Sequence, residues 1–211
     1  MLAPIKNILK NHRIILASGS PRRQELVRGL GFNAELLPST FEENLDPDDF
    51  PSPKEFVTAT AGGKALEVWN RVRDTKNELE ASKPTIVIAA DTVVVLDGKI
   101  YGKPERPDRA VEMLTELSGN THEVYTGVVI KHSEGEVRFC ETTKVSFGKL
   151  SSEQIKAYVD SGEPLDKAGG YGIQGVGGSM IERIDGDYFT VMGLPLYRLC
   201  VELCNIFEKR G

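Results

Sequence analysis

Two adjacent arginines follow a short glycine-containing loop in Ala17-Ser18-Gly19-Ser20-Pro21-Arg22-Arg23, a combination suited to holding a phosphate. A loop that opens a helix presents free N–H groups and the positive end of the helix dipole to an anion. Arg22 and Arg23 add guanidinium groups, which stay charged and grip phosphate oxygens in pairs. The same residues would also make a capped surface helix with two solvated arginines, and this segment alone does not separate the two readings. The Walker pattern G-x-x-x-x-G-K is absent.

A second candidate is Asp91-Thr92, where the apolar run Thr85 to Ala90 gives way to polar residues. A carboxylate at the C-terminal end of a central strand lies where open α/β sheets bind ligands, and there it can hold Mg²⁺ or position water. Glu42 and Glu43, in the acidic stretch Phe41 to Phe50, could complete an oxygen set for a hard cation. Lys64 and Lys103 could face phosphates. Taken singly, a strand-end Asp reads as structural and an acidic run as a solvated loop. The third candidate is the run from Leu165 to Gly175, which includes Asp166, Lys167, Ala168, Gly169, Gly170, Tyr171, Gly172, Ile173 and Gln174. Its small residues let backbone amides approach a ligand, Lys167 brings a charge, and Gln174 offers both a donor and an acceptor to a base edge. A flexible connector is the competing reading, although such connectors rarely carry Ile, Tyr and Gln among their glycines.

His12, His122 and His132 show no zinc spacing with the cysteines, and no G-x-S-x-G elbow supports a serine hydrolase. The histidines read as surface or strand residues.

The elements that must position these groups alternate between strand and helix. Ile14 to Ala17 predicts a strand and Arg22 to Leu30 a helix, with Ser20 at the N-cap, Pro21 at the first helical position and Gly31 at the stop. Asn33 to Leu37 is a candidate strand. Ser52-Pro53 opens a second helix through Phe56, Val57, Ala61, Ala65, Leu66 and Trp69, weakened by Gly62-Gly63 at about 1 kcal/mol per glycine. Thr85 to Ala90 predicts a strand buried on both faces, ending at Asp91. Val93 to Leu96 and Lys99 to Tyr101 flank Asp97-Gly98, a hairpin signal. Pro107 to Leu117 predicts a helix stopped by Gly119. His122 to His132 and Val137 to Leu150 predict two paired strands with a turn near Gly135. Ser151 with Gln154 makes a capping-box pattern, closed by Gly162. Met180 to Ile184 and Tyr188 to Val191 flank a turn at Asp185-Gly186, and Pro195 opens a C-terminal helix. Nine of the 21 glycines lie between Gly162 and Gly193, which marks a region where backbone comes close to something. The pattern predicts a mixed α/β fold in one domain, with no repeat and no linker.

The 211 residues carry a formal net charge of −5, so nothing global draws the chain to a polyanion such as nucleic acid. Any phosphate site must be local. Three cysteines, Cys140, Cys200 and Cys204, are too few for a secreted disulfide framework and point to a reducing, cytoplasmic setting, with Cys200 and Cys204 buried and unbridged. No apolar run approaches the roughly 18 to 20 residues of a membrane span. Met1 to Arg13 is free of acidic residues, with Leu2, Ile5, Ile8 and Leu9 at helical spacing. It reads as a short docked extension or an organelle presequence.

Taken in order, ILASGSPRRQEL, AADTVV, GKP at Gly102 to Pro104, LSGNTHEVYTG and EPLDKAGGYGIQGVGG resemble the Maf family of nucleotide pyrophosphatases. The likeness runs from about Ile14 to Glu202, and extends to a eukaryotic fusion in which a Maf-like portion precedes a methyltransferase-like domain. That resemblance implies a 13-residue N-terminal extension (1–13) before a Maf-like domain over 14–208, with a second, fused domain beyond this chain. It implies a mixed central sheet with flanking helices, in two lobes around a cleft and related to the inosine triphosphate pyrophosphatase fold. It implies Mg²⁺ or Mn²⁺ dependence, a homodimer, and hydrolysis of a nucleoside triphosphate to the monophosphate and pyrophosphate. Carried over by position, Asp91 matches the proposed proton acceptor or metal ligand, while Glu42 and Glu43 remain metal candidates from their acidic loop alone. Ser18, Arg22, Arg23, Lys64, Lys103, Asp166 and Lys167 match cleft residues. Arg22, Thr92 and Gln174 match the branch that acts on dTTP and UTP, where the 7-methyl-GTP branch has Trp, Gln and Glu. One departure is Ala61-Gly62-Gly63 before Lys64, where family members often carry an Arg-Glu-like step. The competing readings are a non-canonical purine nucleotide pyrophosphatase and a nucleotide-sensing cell-division regulator that binds without turnover.

Overall fold

The computed structural model describes residues 2–74 and 83–208. In chain order its regular elements are α1 (Lys6–Lys10), β1 (Arg13–Leu16), α2 (Pro21–Gly29), β2 (Glu35–Leu36), α3 (Pro53–Asp74), β3 (Thr85–Leu96), β4 (Lys99–Tyr101), α4 (Pro107–Leu117), β5 (Thr121–His132), β6 (Gly135–Phe147), α5 (Ser152–Asp160), β7 (Ile181–Asp185), α6 (Tyr188–Met192) and α7 (Leu196–Glu208). The strands form one seven-stranded mixed sheet in the order β2-β1-β3-β5-β6-β7, with β4 paired to β3. β1 lies parallel to β2 and to β3, with Arg13 opposite Thr85 and Leu16 opposite Ile88. β3 and β4 are antiparallel, as are β6 and β7.

The chain divides into two compact units, whose boundaries fall inside β3 after Asp91, inside β5 after Thr126 and inside β6 after Cys140. Unit one holds residues 1–91, 127–140 and 193–211, and unit two holds 92–126 and 141–192. In unit one, Ala61, Ala65, Val68 and Val72 recur at helical spacing along α3 and pack on Ile15, Ala17, Val87, Ala89 and Val129 of the sheet. Full burial of each such valine contributes about 1.5–3 kcal/mol. Leu2, Ile5 and Leu9 are buried, and the His12 ring meets Phe207 of α7 edge-on at 4.9 Å between centroids, so residues 2–12 are docked onto this unit. In unit two, Ala110, Met113, Leu114 and Leu117 of α4 join Ile155, Tyr158 and Val159 of α5 over Val124, Val145 and Phe147.

Several local expectations hold for local reasons. Asp97 and Gly98 both take positive φ, 49° and 80°, which is what a tight primed hairpin turn needs. Ser151 and Gln154 form the full capping box, and Gly31, Gly119 and Gly162 all adopt positive φ at helix ends. No disulfide joins Cys140, Cys200 or Cys204 among the described residues, and Cys200 is buried and Cys204 half-buried.

Four details differ. β3 does not end before Asp91 but continues to Leu96, because Val93 to Val95 extend the same buried β-branched run. Asp91 therefore sits in mid-strand. Tyr188 to Met192 is a helical turn and not a strand: the Asp187 carboxylate accepts from the Thr190 N–H at 2.7 Å and its hydroxyl at 2.8 Å, which caps a helix. Ser20 occupies the N-cap of α2 without a side-chain capping bond; instead its own N–H donates to Ser18 Oγ at 3.2 Å. The glycine-rich stretch after Gly162 folds into three successive 3₁₀ turns.

Three glycines inside regular elements of unit one, Gly62, Gly63 and Gly127, stand at close approaches. α3 runs unbroken through Gly62-Gly63, where a side chain at Gly63 would enter the Phe41 ring and one at Gly62 would reach the Arg138 guanidinium. Gly127 of β5 meets the backbone of α3, where an added Cβ would stand 2.7 Å from Thr58 N and from Val57 C. Backbone cannot swing aside as a side-chain tip does. Gly127→Ala is therefore expected to destabilise by about 1–3 kcal/mol through overpacking, read as a drop in Tm with turnover per folded molecule largely kept.

Candidate active site

Lys64 is the organising cation of unit one. It projects from the middle of α3 and is only 9% exposed. Its Nζ donates to Asp91 Oδ1 at 2.8 Å and pairs with Glu43 Oε2 at 2.9 Å. Asp91 is equally buried, at 9%, whereas the Glu43 side chain is half exposed. Two carboxylates from separate stretches of chain thus converge on one ammonium. A buried ion pair of this kind offers little net stability, since desolvation offsets the attraction. A site that must accept and release charge is a better reason for it.

Arg23 completes the cluster from α2. Its Nε donates to the Gly193 carbonyl at 2.7 Å, which fixes the guanidinium plane. Burial pushes its pKa below the usual value, the Asp91 carboxylate opposes that, the neighbouring Arg22 adds to it, and Glu43 opposes it. Arg23 therefore lies within electrostatic reach of both acids. Arg22 is half-buried on the first turn of the same helix. Ser18 is buried at the end of β1, its Oγ accepting from Ser20 N–H and its carbonyl accepting from Gln24 Nε2 at 3.4 Å. The loop from Ser18 to Ser20 is thus held at both ends before α2 begins. Glu42 is exposed, and it is Glu43 that pairs with Lys64. Among the described residues no group of three or more His, Cys, Asp or Glu side chains is gathered as a metal cage.

The remaining sequence candidates belong to unit two. Lys103 is exposed on the segment that leaves β4. Thr92 shares a 2.9 Å hydroxyl contact with Thr126, which in turn donates to the Thr190 carbonyl at 2.7 Å. Lys167 Nζ donates to Asp166 Oδ1 and to the Glu163 carbonyl, each at 2.6 Å, so this lysine and aspartate form one pair. Gln174 is exposed at the tip of the glycine-rich stretch.

Sequence reasoning missed the residues that hold that stretch. Glu163 accepts from the Tyr158 hydroxyl, Val176 N–H and Gly177 N–H. His122 is buried in β5, its Nε2 is 2.8 Å from the Tyr171 hydroxyl, and burial lowers its pKa to about 4, so the ring is neutral at ordinary pH. Tyr171 and Phe147 stack edge-on with that ring. A glutamate before a proline carries no sequence signal of such a role. The histidine in an alternating strand pattern was at least compatible with an inward-facing position.

Known proteins share this chain's sequence over nearly its full length. The family described as Maf-like protein matches residues 13–206. The chain is 44% identical to a dTTP/UTP pyrophosphatase of Clostridium perfringens, over 92% of this chain and 96% of that protein. It is 47% identical to a dTTP/UTP pyrophosphatase of Bacillus cereus, over 90% and 94% respectively. It is also 43% identical to a human protein named probable bifunctional dTTP/UTP pyrophosphatase/methyltransferase protein, covering 98% of this chain but 34% of that protein. The chain thus spans about a third of the human relative's length.

Proposed function

The chain belongs to the Maf family, and on that premise we propose that it hydrolyses dTTP and UTP to the monophosphate and pyrophosphate. The observation that carries this reading is the convergence of the buried Asp91 and the half-exposed Glu43 on the buried Lys64 ammonium, with Arg23 in electrostatic reach of both acids, in a chain 44% identical to a dTTP/UTP pyrophosphatase along nearly all of both proteins. A non-canonical purine substrate, or binding without turnover, has no comparable support.

The chemistry follows from the charges. Water attacks the α-phosphorus, its oxygen forms the new P–O bond, the bond from the α-phosphorus to the α,β-bridging oxygen breaks, and pyrophosphate departs. Such reactions depend on positioning and on neutralising phosphate charge. Arg22, Arg23 and the N–H groups at the start of α2 bind phosphate oxygens, and Lys64 holds Asp91 through Oδ1 in a fixed orientation. Asp91 orients the attacking water and takes its proton. Lys103, Asp166 and Lys167 are proposed as further contributors from their family positions, and Thr92 and Gln174 as readers of the base.

The donor chemistry fits a hard divalent cation. Asp91 and Glu43 each place one carboxylate oxygen on the Lys64 ammonium and so lie side by side, and Mg²⁺ is commonly held by one or two carboxylates with phosphates and waters supplying the rest. Asp91 and Glu43 would hold Mg²⁺ or Mn²⁺, with Glu42 a further candidate. When bound, the ion would neutralise phosphate charge and lower the pKa of the attacking water. That help matters because carboxylates are weak bases near neutral pH.

Gln174→Glu replaces an amide that can donate and accept with a carboxylate that only accepts. Its kcat/KM for UTP is expected to fall by about tenfold or more, the scale of a lost base-edge hydrogen bond; an unchanged value would remove Gln174 from base recognition. The test of the function itself is a nucleotide panel scored by pyrophosphate release with and without Mg²⁺. Metal-dependent turnover highest with dTTP and UTP supports the proposal, preference for inosine or xanthosine triphosphate supports the purine reading, and binding without product refutes both.

Cytoplasmic residence, a homodimer and a fused methyltransferase-like domain are proposed alongside. Three cysteines without a disulfide among the described residues favour the first, and the human relative's name favours the last. No helix among the described residues is long and apolar enough to cross a membrane.

A further inference from the structure

We propose that Glu163 is a positioning residue for base recognition, whose carboxylate fixes the backbone on both sides of Gln174 and so holds the Gln174 amide and the Val176 side chain as one preformed face for the pyrimidine. This rests on the reading that Gln174 meets the base.

The geometry is that of a template. Glu163 Oε1 accepts from the Tyr158 hydroxyl at 2.9 Å and from Gly177 N–H at 3.2 Å, while Oε2 accepts from Val176 N–H at 3.0 Å. The same Tyr158 hydroxyl accepts from Gly172 N–H at 3.2 Å. The amides two residues before Gln174, and two and three residues after it, are therefore tied through one carboxylate and the phenol bonded to it. Tyr171, next to Gly172, is anchored separately to His122. The loop also lies flat on the carboxylate: a Cβ at Gly172 would stand 3.1 Å from Glu163 Oε1, and one at Gly175 would collide with the carboxylate outright. The carboxylate itself leaves no room for a side chain at Gly175, and at Gly172 the Lys167 chain, 2.8 Å from such a Cβ, is the nearer obstacle. Between the tied amides the chain turns its side chains outward, leaving Gln174 exposed and Val176 62% exposed. An apolar side chain so exposed on a loop with a fixed backbone suits the face of a flat ring, and the amide beside it suits the ring's polar edge.

The charge state agrees. Burial raises the Glu163 carboxyl, but hydrogen bonds from Gly177 N–H, Tyr158 and Val176 N–H outweigh it and hold the group below its usual range. With a depressed folded value, the brace is complete at neutral pH and is lost only as pH falls through that lowered value.

Glu163→Gln tests the idea without changing size. A carboxamide has one acceptor oxygen, so in either orientation its NH₂ faces at least one backbone N–H that the carboxylate now accepts. In the full chain, amide hydrogen exchange across 172–177 is expected to accelerate by at least about tenfold with exchange elsewhere unchanged, reporting local opening. With UTP, KM is expected to rise about tenfold while kcat changes by less than about threefold, the pattern of lost binding that is common to ground and transition states. Preference for UTP over CTP and GTP should narrow. Tyr158→Phe, which removes the phenol but keeps the carboxylate, is expected to show the same pattern at smaller size and serves if the first variant does not fold. Unchanged exchange at 172–177 overturns the brace. Faster exchange with unaltered KM and selectivity overturns its role in base recognition, and a uniform loss of Tm and of activity on every nucleotide reduces it to a structural contact. If exchange accelerates but wild-type protein turns over no nucleotide, the brace stands and the pyrophosphatase reading fails.

Discussion

Asp91→Asn lowers kcat for UTP by at least about a hundredfold, the scale of removing one preorganised electrostatic group from a reaction centre, and leaves the protein folded. The amide has the size and shape of the carboxylate, so β3 and its packing have no reason to move. Lys64 keeps Glu43 as a partner at 2.9 Å, so the variant does not bury an unpaired ammonium. What disappears is the negative charge that orients water and takes up its proton. An effect on kcat and on kcat/KM in equal measure is expected, because that charge acts on the transition state and not on the bound nucleotide. Pyrophosphate release and thermal melting on one preparation decide the matter. Wild-type turnover by a variant with wild-type Tm would remove Asp91 from the mechanism.

Lys64→Met produces the largest expected change in stability. The ammonium is bonded at 2.8 Å to Asp91 and at 2.9 Å to Glu43, and methionine leaves those two carboxylates facing one another with no cation between them. Removing one partner of a buried pair costs about 3–5 kcal/mol. The half-exposed Glu43 side chain is partly screened by solvent, and Arg23 remains within reach of both acids, so the lower end applies. At roughly 2–4 °C per kcal/mol for a chain of this size, Tm should fall by about 6–12 °C.

Mg²⁺ makes the same variant informative about metal binding. If Asp91 and Glu43 hold a divalent ion, the variant gains more Tm from millimolar Mg²⁺ than wild-type protein does, because ligand binding to the folded state stabilises it by mass action. Chelation then removes the gain. A variant that melts like wild-type protein and ignores Mg²⁺ would show that the two acids neither depend on Lys64 nor form a cation site.

Much of this protein is legible along the chain, because the rules involved are local. Asp97-Gly98 announces its turn since positive φ is a property of those two residues. Ser151 and Gln154 announce a helix start because both capping bonds span three residues. The alternation of apolar runs with 3.6-residue patterns announces a mixed α/β sheet, and the order of five motifs announces the family that matches residues 13–206.

Other features depend on chain segments returning to one another, and for these residue type and spacing are silent. Glu42 and Glu43 are equivalent in the sequence, yet only tertiary packing brings Glu43 and Asp91 to Lys64 from opposite sides in sequence. Arg22 and Arg23 read alike, but the Gly193 carbonyl, 170 positions away, binds Arg23. Asp91 was expected at a strand end because polar residues usually end buried strands; burial of the next β-branched residues carried the strand past it. Gly62-Gly63 read as a weakness in α3 because helix propensity counts only neighbours, whereas the Phe41 ring and Arg138 occupy the space that side chains there would need. Local pattern announces most of the elements and turns and the chemical types available, though not the extent of β3 or the helix at Tyr188–Met192. Which charges meet follows from the folded chain, because pair energies fall off with distance in space and are indifferent to distance along the chain.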